Sequence, residues 1–293
     1  MPQKREKEMT GDKYKVLLAV LEAGSISGAA ERLGYTPSGV SRMMASLEDE
    51  LGLRLLERGK SGASATRECQ ALLPSIRSAV YYQSQSEQLA ARIRGLDVGT
   101  VTIGTSYGAY YRWLAGITAE FTAAYPNIEV RFVCKNSTDL YKAIESHTVD
   151  IGIISRRDTD GVWIPLREDP MVAWVPGDSR YDRLGYVPVK AFAEEPYIEP
   201  YPGEDTDTLR YFKKHGISPN IRYTVNDTYA AFCLVEAGLG ITAMNDLAKG
   251  EWNGKVSVVP VKPAETISIG ITTPKDAVLP AAEKLIKFMK KKL

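Results

Sequence analysis

Ser38, Ser41 and Arg42 lie within the run Thr36-Pro37-Ser38-Gly39-Val40-Ser41-Arg42-Met43-Met44. At helical spacing these three share one face. That face offers two small hydroxyls and a planar guanidinium, the groups that hydrogen-bond to base edges in a major groove. Arg54, Arg58, Lys60 and Arg67 follow closely and suit phosphate oxygens. Ser27 and Thr36, at or near helix starts, complete the residues expected to touch DNA. A second set is scattered: Thr105, Ser106 and Tyr107; Lys135, Asn136 and Ser137; Tyr201 through Asp205; Asn226, Asp227 and Thr228. Each group follows a β-like run and precedes a helix-like one. There, hydroxyls and free helix N–H groups favour a small oxyanion, and crowded tyrosines favour an aromatic ligand. Ser106, Thr138 and Asn226 equally have the character of ordinary helix caps.

Chemistry of other kinds finds no support. Neither His147 nor His215 falls in one of these loops, so no hydrolase triad assembles. The run from Gly104 to Gly108 lacks the Gly-Lys-Ser/Thr ending of a phosphate loop, and Gly238-Leu239-Gly240 is no dinucleotide fingerprint. Cys69, Cys134 and Cys233 are far apart, which excludes a disulfide framework or zinc site by spacing. They read as core filling, with a redox sensor as the alternative. No enzyme activity, metal or cofactor is expected.

The first set needs a frame. Ser25 or Ser27 can cap a helix with Ala29, Ala30 and Leu33 inward; Gly34 ends it, and Tyr35 is expected to plug the corner. Thr36 caps a second helix, Pro37 stands where no N–H donor is needed, and Val40, Met43, Leu47 and Leu51 form its buried stripe. Ser38, Ser41, Arg42, Ala45 and Ser46 are left for the opposite face. Leu53 to Leu56 and the Gly59–Gly62 tip then read as a β-wing.

This segment resembles the winged helix-turn-helix of LysR-type transcriptional regulators. The likeness is carried by Ala29-Ala30, Leu33, Thr36-Pro37-Ser38, Val40-Ser41, Leu47-Glu48, Leu51-Gly52 and Leu55 through Arg58. Two departures stand out: Leu56 where the family has Phe, and Ala65-Thr66-Arg67-Glu68-Cys69 where it has Leu-Thr-x-x-Gly. The resemblance implies a double-stranded operator as partner, a homodimer or homotetramer, contact with RNA polymerase, and a small-molecule effector held between two lobes. It implies effector contacts from Thr105, Ser106, Tyr107, Asn136, Ser137, Tyr201, Asn226 and Asp227.

The rest of the chain agrees. Leu72, Leu73, Ile76, Val80, Leu89 and Ile93 recur at roughly heptad intervals on a long helix, and by the resemblance this is the dimer seam. After Gly99, strands and helices alternate, which predicts a parallel sheet. Crossings near Leu166–Pro170 and Lys262–Thr266 divide that region into two lobes. The expected fold class is α/β: a winged helix-turn-helix (10–66), a linker helix (67–95) and a Rossmann-like effector domain of the type II periplasmic-binding-protein kind (97–293). Its first lobe comprises 97–167 and 266–293, its second 168–265. The 293 residues, 44% hydrophobic, contain no run of membrane-span length, and the charged N-terminus is no signal peptide, so a cytoplasmic place is expected. Residues 1–95 carry 14 Lys and Arg against 11 Asp and Glu; the remainder is net −2. This bias suits DNA weakly, leaving the work to local arginines. One alternative is a cytosolic two-lobed solute-binding protein or enzyme with an N-terminal dimerisation unit. Another, a molybdate-type regulator, is opposed by the strand–helix alternation.

Overall fold

The computed structural model of the chain describes residues 10–59, 62–157, 161–249 and 252–292. Two compact units are present: one holds the residues up to Leu96 with Ser146–Thr148, the other Asp97–Glu145 with the residues from Val149 onward.

The first unit begins with a helix that sequence patterning had not singled out, α1 (Thr10–Ala23), followed by α2 (Ile26–Leu33) and α3 (Pro37–Leu51). Val16, Leu17 and Val20 of α1 meet Ala29, Ala30, Val40, Met43, Met44 and Leu47 in one core. The open choice of cap falls to Ser25, whose Oγ accepts from Gly28 N at 3.1 Å. Gly34 takes φ 70°, and Tyr35 N donates back to Ala30 O at 2.9 Å, closing α2. Two expectations need correction. Leu33 is 38% and Tyr35 47% exposed, because α1 supplies the side chains that fill the crossing. Ser46 does not join the outward face: it accepts from the buried Lys13 Nζ at 2.9 Å.

The wing is the antiparallel pair β1 (Leu56–Gly59) and β2 (Gly62–Ala65). Residues 60 and 61 at its tip, Lys60 among them, lie outside the described residues. Ala63 N donates to Gly24 O at 2.7 Å, and a Cβ at Gly62 would come within 2.3 Å of that carbonyl. Leu56 and Cys69 are both buried, so the two departures from the family pattern still fill the interior beside α4 (Arg67–Ile93). Thr66 starts α4: its Oγ1 accepts from Cys69 N at 3.0 Å and donates to Arg54 O at 2.8 Å. Of the expected seam, Ile76 is buried and Ile93 is 85% exposed.

The second unit runs β3 (Gly99–Thr105), α5 (Tyr111–Ala124), β4 (Ile128–Cys134), α6 (Ser137–Glu145), β5 (Ile151–Ser155) and β6 (Trp163–Pro176). It continues with α7 (Arg180–Leu184), β7 (Val187–Pro188), α8 (Ala191–Glu194), β8 (Tyr197–Pro200), α9 (Asp207–Lys214) and β9 (Ile221–Val225). α10 (Thr228–Glu236), β10 (Thr242–Asn245), β11 (Val256–Lys262), β12 (Thr266–Thr272) and α11 (Pro280–Lys290) complete it. The expected parallel sheet is mixed. β4-β3-β5 are parallel, but β12 pairs antiparallel to β5 and β6, and β10 and β11 pair antiparallel to β6. The fourteen-residue β6 passes through the first crossing without a break, pairing with β12 on one side of it and with β10 and β11 on the other. The turn from β11 to β12, with a cis Lys262-Pro263 bond, makes the second crossing. β8 and β9 form a separate parallel pair. Among the described residues no helix is long and apolar enough to cross a membrane.

Candidate functional sites

The outward face of α3 is short of bulk. Ser38 and Arg42 are exposed and Ser41 half-buried. Thr36 Oγ1 accepts from Gly39 N at 3.1 Å, fixing the first turn, and lies 3.2 Å from the Ser38 hydroxyl. Arg42 Nε donates to Ser38 O at 3.4 Å, which lays the guanidinium along the helix surface. Arg58 comes from the wing to donate through Nη1 to Ser41 Oγ at 3.3 Å. The wing is held against α3 by Glu48, whose Oε1 accepts from Leu55 N at 2.7 Å and Leu56 N at 3.1 Å. Arg54 is exposed at the entry to the wing, and Ser27 is exposed on the first turn of α2. The structure thus brings Thr36, Ser38, Ser41, Arg42 and Arg58 together. Sequence reading missed Glu48 as the organiser; an acid closing a helix gives no distinctive signal.

In the second unit a cavity of about 580 Å³ opens where α6, α9 and α10 begin. That size holds a small metabolite. Of the expected contacts, Ser106, Tyr107, Asn136, Ser137, Tyr201 and Asp227 line it. Thr105 does not: its buried Oγ1 donates to Ile153 O and accepts from Tyr107 N. Asn226 is exposed and lies off the lining. Asp227, not Asn226, caps α10 by accepting from Ala230 N at 2.8 Å. The Ser106 and Ser137 hydroxyls lie 2.8 Å apart, and Tyr201 and Thr228 share a 2.9 Å hydroxyl contact. Tyr201 sits at φ +56°, a conformation that costs energy for a non-glycine residue and is held by its N–H bond to Val225 O.

Charges in the cleft were only partly foreseen. Glu204, Asp205, Asp207 and Asp227 line it against a single Lys135. Asp205 Oδ2 accepts from Arg157 Nη1 at 2.6 Å and Arg210 Nη1 at 2.8 Å, and Asp207 pairs with Arg210. Arg157 is therefore held inside this network, its side chain 10% exposed. Asn136 Nδ2 donates to Glu204 at 2.6 Å, and Tyr107 OH reaches Asp207 at 3.4 Å. Burial first, and Asp207 second, push the Tyr107 phenol well above its ordinary value. Asp207, Thr208, Asn245 and Trp252 were missed, since no local pattern ties these distant positions to the cleft. Core filling holds for Cys69, whereas Cys134, on the cleft wall, and Cys233 are exposed.

Comparison with known proteins decides the family. Residues 12–70 match the bacterial regulatory helix-turn-helix protein model of the lysR family, and residues 94–293 match the LysR substrate binding domain. The chain belongs to the LysR family of transcriptional regulators. It is thus a DNA-binding regulator with an effector-binding domain. The regulator is 29% identical to the HTH-type transcriptional regulator ShiR of Corynebacterium glutamicum over 233 residues, covering 76% of this chain and 78% of that one. It is 26% identical to AlsR of Bacillus subtilis over 242 residues, 80% of each. Among solved structures, CbnR in complex with its target DNA aligns at TM-score 0.60 and 22% identity, covering 97% of the regulator and all of that chain. That likeness establishes the fold.

Proposed function

We propose that α3 enters the major groove of an operator, with Ser38, Ser41 and Arg42 reading base edges. Arg54, Arg58, Thr36 and Ser27 contact phosphate or the neighbouring minor groove, as does Lys60. The observation that carries this is the outward face of α3, where exposed Ser38 and Arg42 lie beside the Ser41–Arg58 tie. Residues 10–66 are assigned to DNA reading, 67–95 to pairing and 97–293 to sensing. Two chains pair through α4, as a dimer or within a tetramer, and the molecule works in the cytoplasm, where RNA polymerase is within reach. A small effector enters the cleft lined by Ser106, Tyr107, Asn136, Ser137, Tyr201 and Asp227, with Thr105 and Asn226 supporting its walls, and shifts the balance between lobe orientations.

Gel shifts with random and operator DNA test the reading over a salt series. Affinity that falls steeply with salt is expected. A flat response on both DNAs would remove DNA binding and leave a two-lobed binding protein.

A further inference from the structure

We propose that the cleft takes a small organic cation: an amine that carries a carbonyl or hydroxyl oxygen on an apolar or aromatic body. The proposal rests on the reading of this cavity as the effector site. It replaces the oxyanion that helix starts alone suggest.

The lining carries Glu204, Asp205, Asp207 and Asp227 against Lys135. Arg157 and Arg210 neutralise Asp205 and Asp207 and are absent from the lining themselves. Even with both guanidiniums counted, the carboxylates exceed the cations. An incoming carboxylate would therefore join a site that is already negative, whereas an ammonium group would complete it.

Helix starts do not reverse this, because the chain has filled them. Asn136 Oδ1 accepts from Asp139 N at the start of α6, Thr206 caps α9 with Asp207 in its first turn, and Asp227 caps α10. The positive ends that would hold a ligand anion already face an amide oxygen at α6 and carboxylates at α9 and α10.

Two side chains point to the parts of the ligand. Glu204 accepts from the amide Asn136 Nδ2 at 2.6 Å and, among the described residues, forms no ion pair. Burial, then Asp139, raises its pKa, only partly opposed by a Thr138 hydrogen bond and the charges of Lys142 and Arg157, and an ammonium partner at the carboxylate relieves the remainder. Asn245 lines the cavity at 9% exposure, and its Nδ2 has no hydrogen-bond partner among the described residues. A buried amide donor left unmade is costly, so the ligand brings an acceptor oxygen to it. Tyr111, Tyr201 and Trp252 provide the aromatic wall for the body.

Thermal shift and calorimetry on the full chain decide, using three probes with one phenyl body: phenylalaninamide, hydrocinnamamide and hydrocinnamate. Phenylalaninamide should stabilise the protein, the neutral amide should bind about tenfold more weakly, and the carboxylate should bind least. Glu204→Gln should bring phenylalaninamide down to the neutral amide, and Asn245→Ala should weaken both amides alike. Unliganded melting curves check that each variant is folded, and Asn245→Ser serves if Asn245→Ala is not. Ser106→Trp, which fills the cleft, separates the two levels of the argument. Preferred binding of hydrocinnamate, abolished by Ser106→Trp, overturns the cation and keeps the cleft as effector site. Binding of all probes that ignores Ser106→Trp, or no binding, overturns both.

Discussion

Arg58 of the wing donates to the Ser41 hydroxyl of α3 at 3.3 Å, so the two elements proposed to meet DNA are tied to each other in the free protein. Arg58 also lies 3.9 Å from Glu48, with its side chain 43% exposed. A contact this exposed contributes little to folding, about 0–1 kcal/mol. Its use lies in holding the guanidinium ready beside the helix.

Arg42 and Arg58 should therefore respond differently to truncation. Arg42→Ala is expected to cost about 1–3 kcal/mol on the operator and less on random DNA. Arg58→Ala should weaken both DNAs alike and lower the salt slope by about one. Fluorescence anisotropy over a salt series on both DNAs separates the two. Equal losses for Arg42→Ala on operator and random DNA would make it a phosphate contact.

Glu48 offers a test of how the wing is fixed. Its Oε1 accepts two backbone N–H groups, from Leu55 and Leu56, and its side chain is 19% exposed. Glu48→Ala leaves both donors without that partner, at about 1–3 kcal/mol. Glu48→Gln keeps one acceptor oxygen and should lose less. Urea melts of the variants measure this order. If alanine and glutamine prove equally stable, water replaces the carboxylate and the wing does not depend on it.

How much of this was written in the sequence depends on range. Thr36, Pro37, Gly34 and Gly52 act within one turn of themselves, so caps and helix ends could be read directly. Tyr35 and Leu33 were misplaced because their exposure depends on α1, whose packing no local pattern reveals. The sheet was expected parallel because alternation does not report the direction in which β10, β11 and β12 return to β6, and all three return antiparallel. Cleft residues at helix starts were found by the rule that ligands meet strand ends. Asn245 and Trp252 reach the same cavity only through tertiary structure.

Asp205 should behave as a clasp over the cleft. Its carboxylate and backbone carbonyl together accept from Arg157 and Arg210, and the carbonyl also accepts from Thr138 Oγ1 at 3.4 Å. The residue is half exposed, so Asp205→Asn should cost only about 1 kcal/mol of global stability. Local opening should change more: amide exchange should quicken at residues 204–210 and at the start of α6, and stay constant in α2 and α3. Unaltered exchange at 204–210 would show that these ion pairs do not restrain the segment.

Asp150 sets the expected pH dependence. It is 6% exposed, with Oδ2 accepting from Thr102 N at 2.7 Å. Burial raises its pKa from 3.8 to about 6, and the Thr102 bond only partly opposes that. Between those values the folded chain holds a proton that the unfolded chain has released. This contribution is therefore fully present below pH 3.8, falls as pH rises through about 6 and is flat above. Asp150→Asn cannot ionise and can still accept from Thr102. It should be more stable than the parent protein at pH 8 by on the order of 2–3 kcal/mol, the advantage shrinking to nothing towards pH 4. Paired thermal melts across that range measure the difference. A constant offset between the two proteins from pH 4 to pH 8 would show that Asp150 is ionised throughout and that the Thr102 bond outweighs burial.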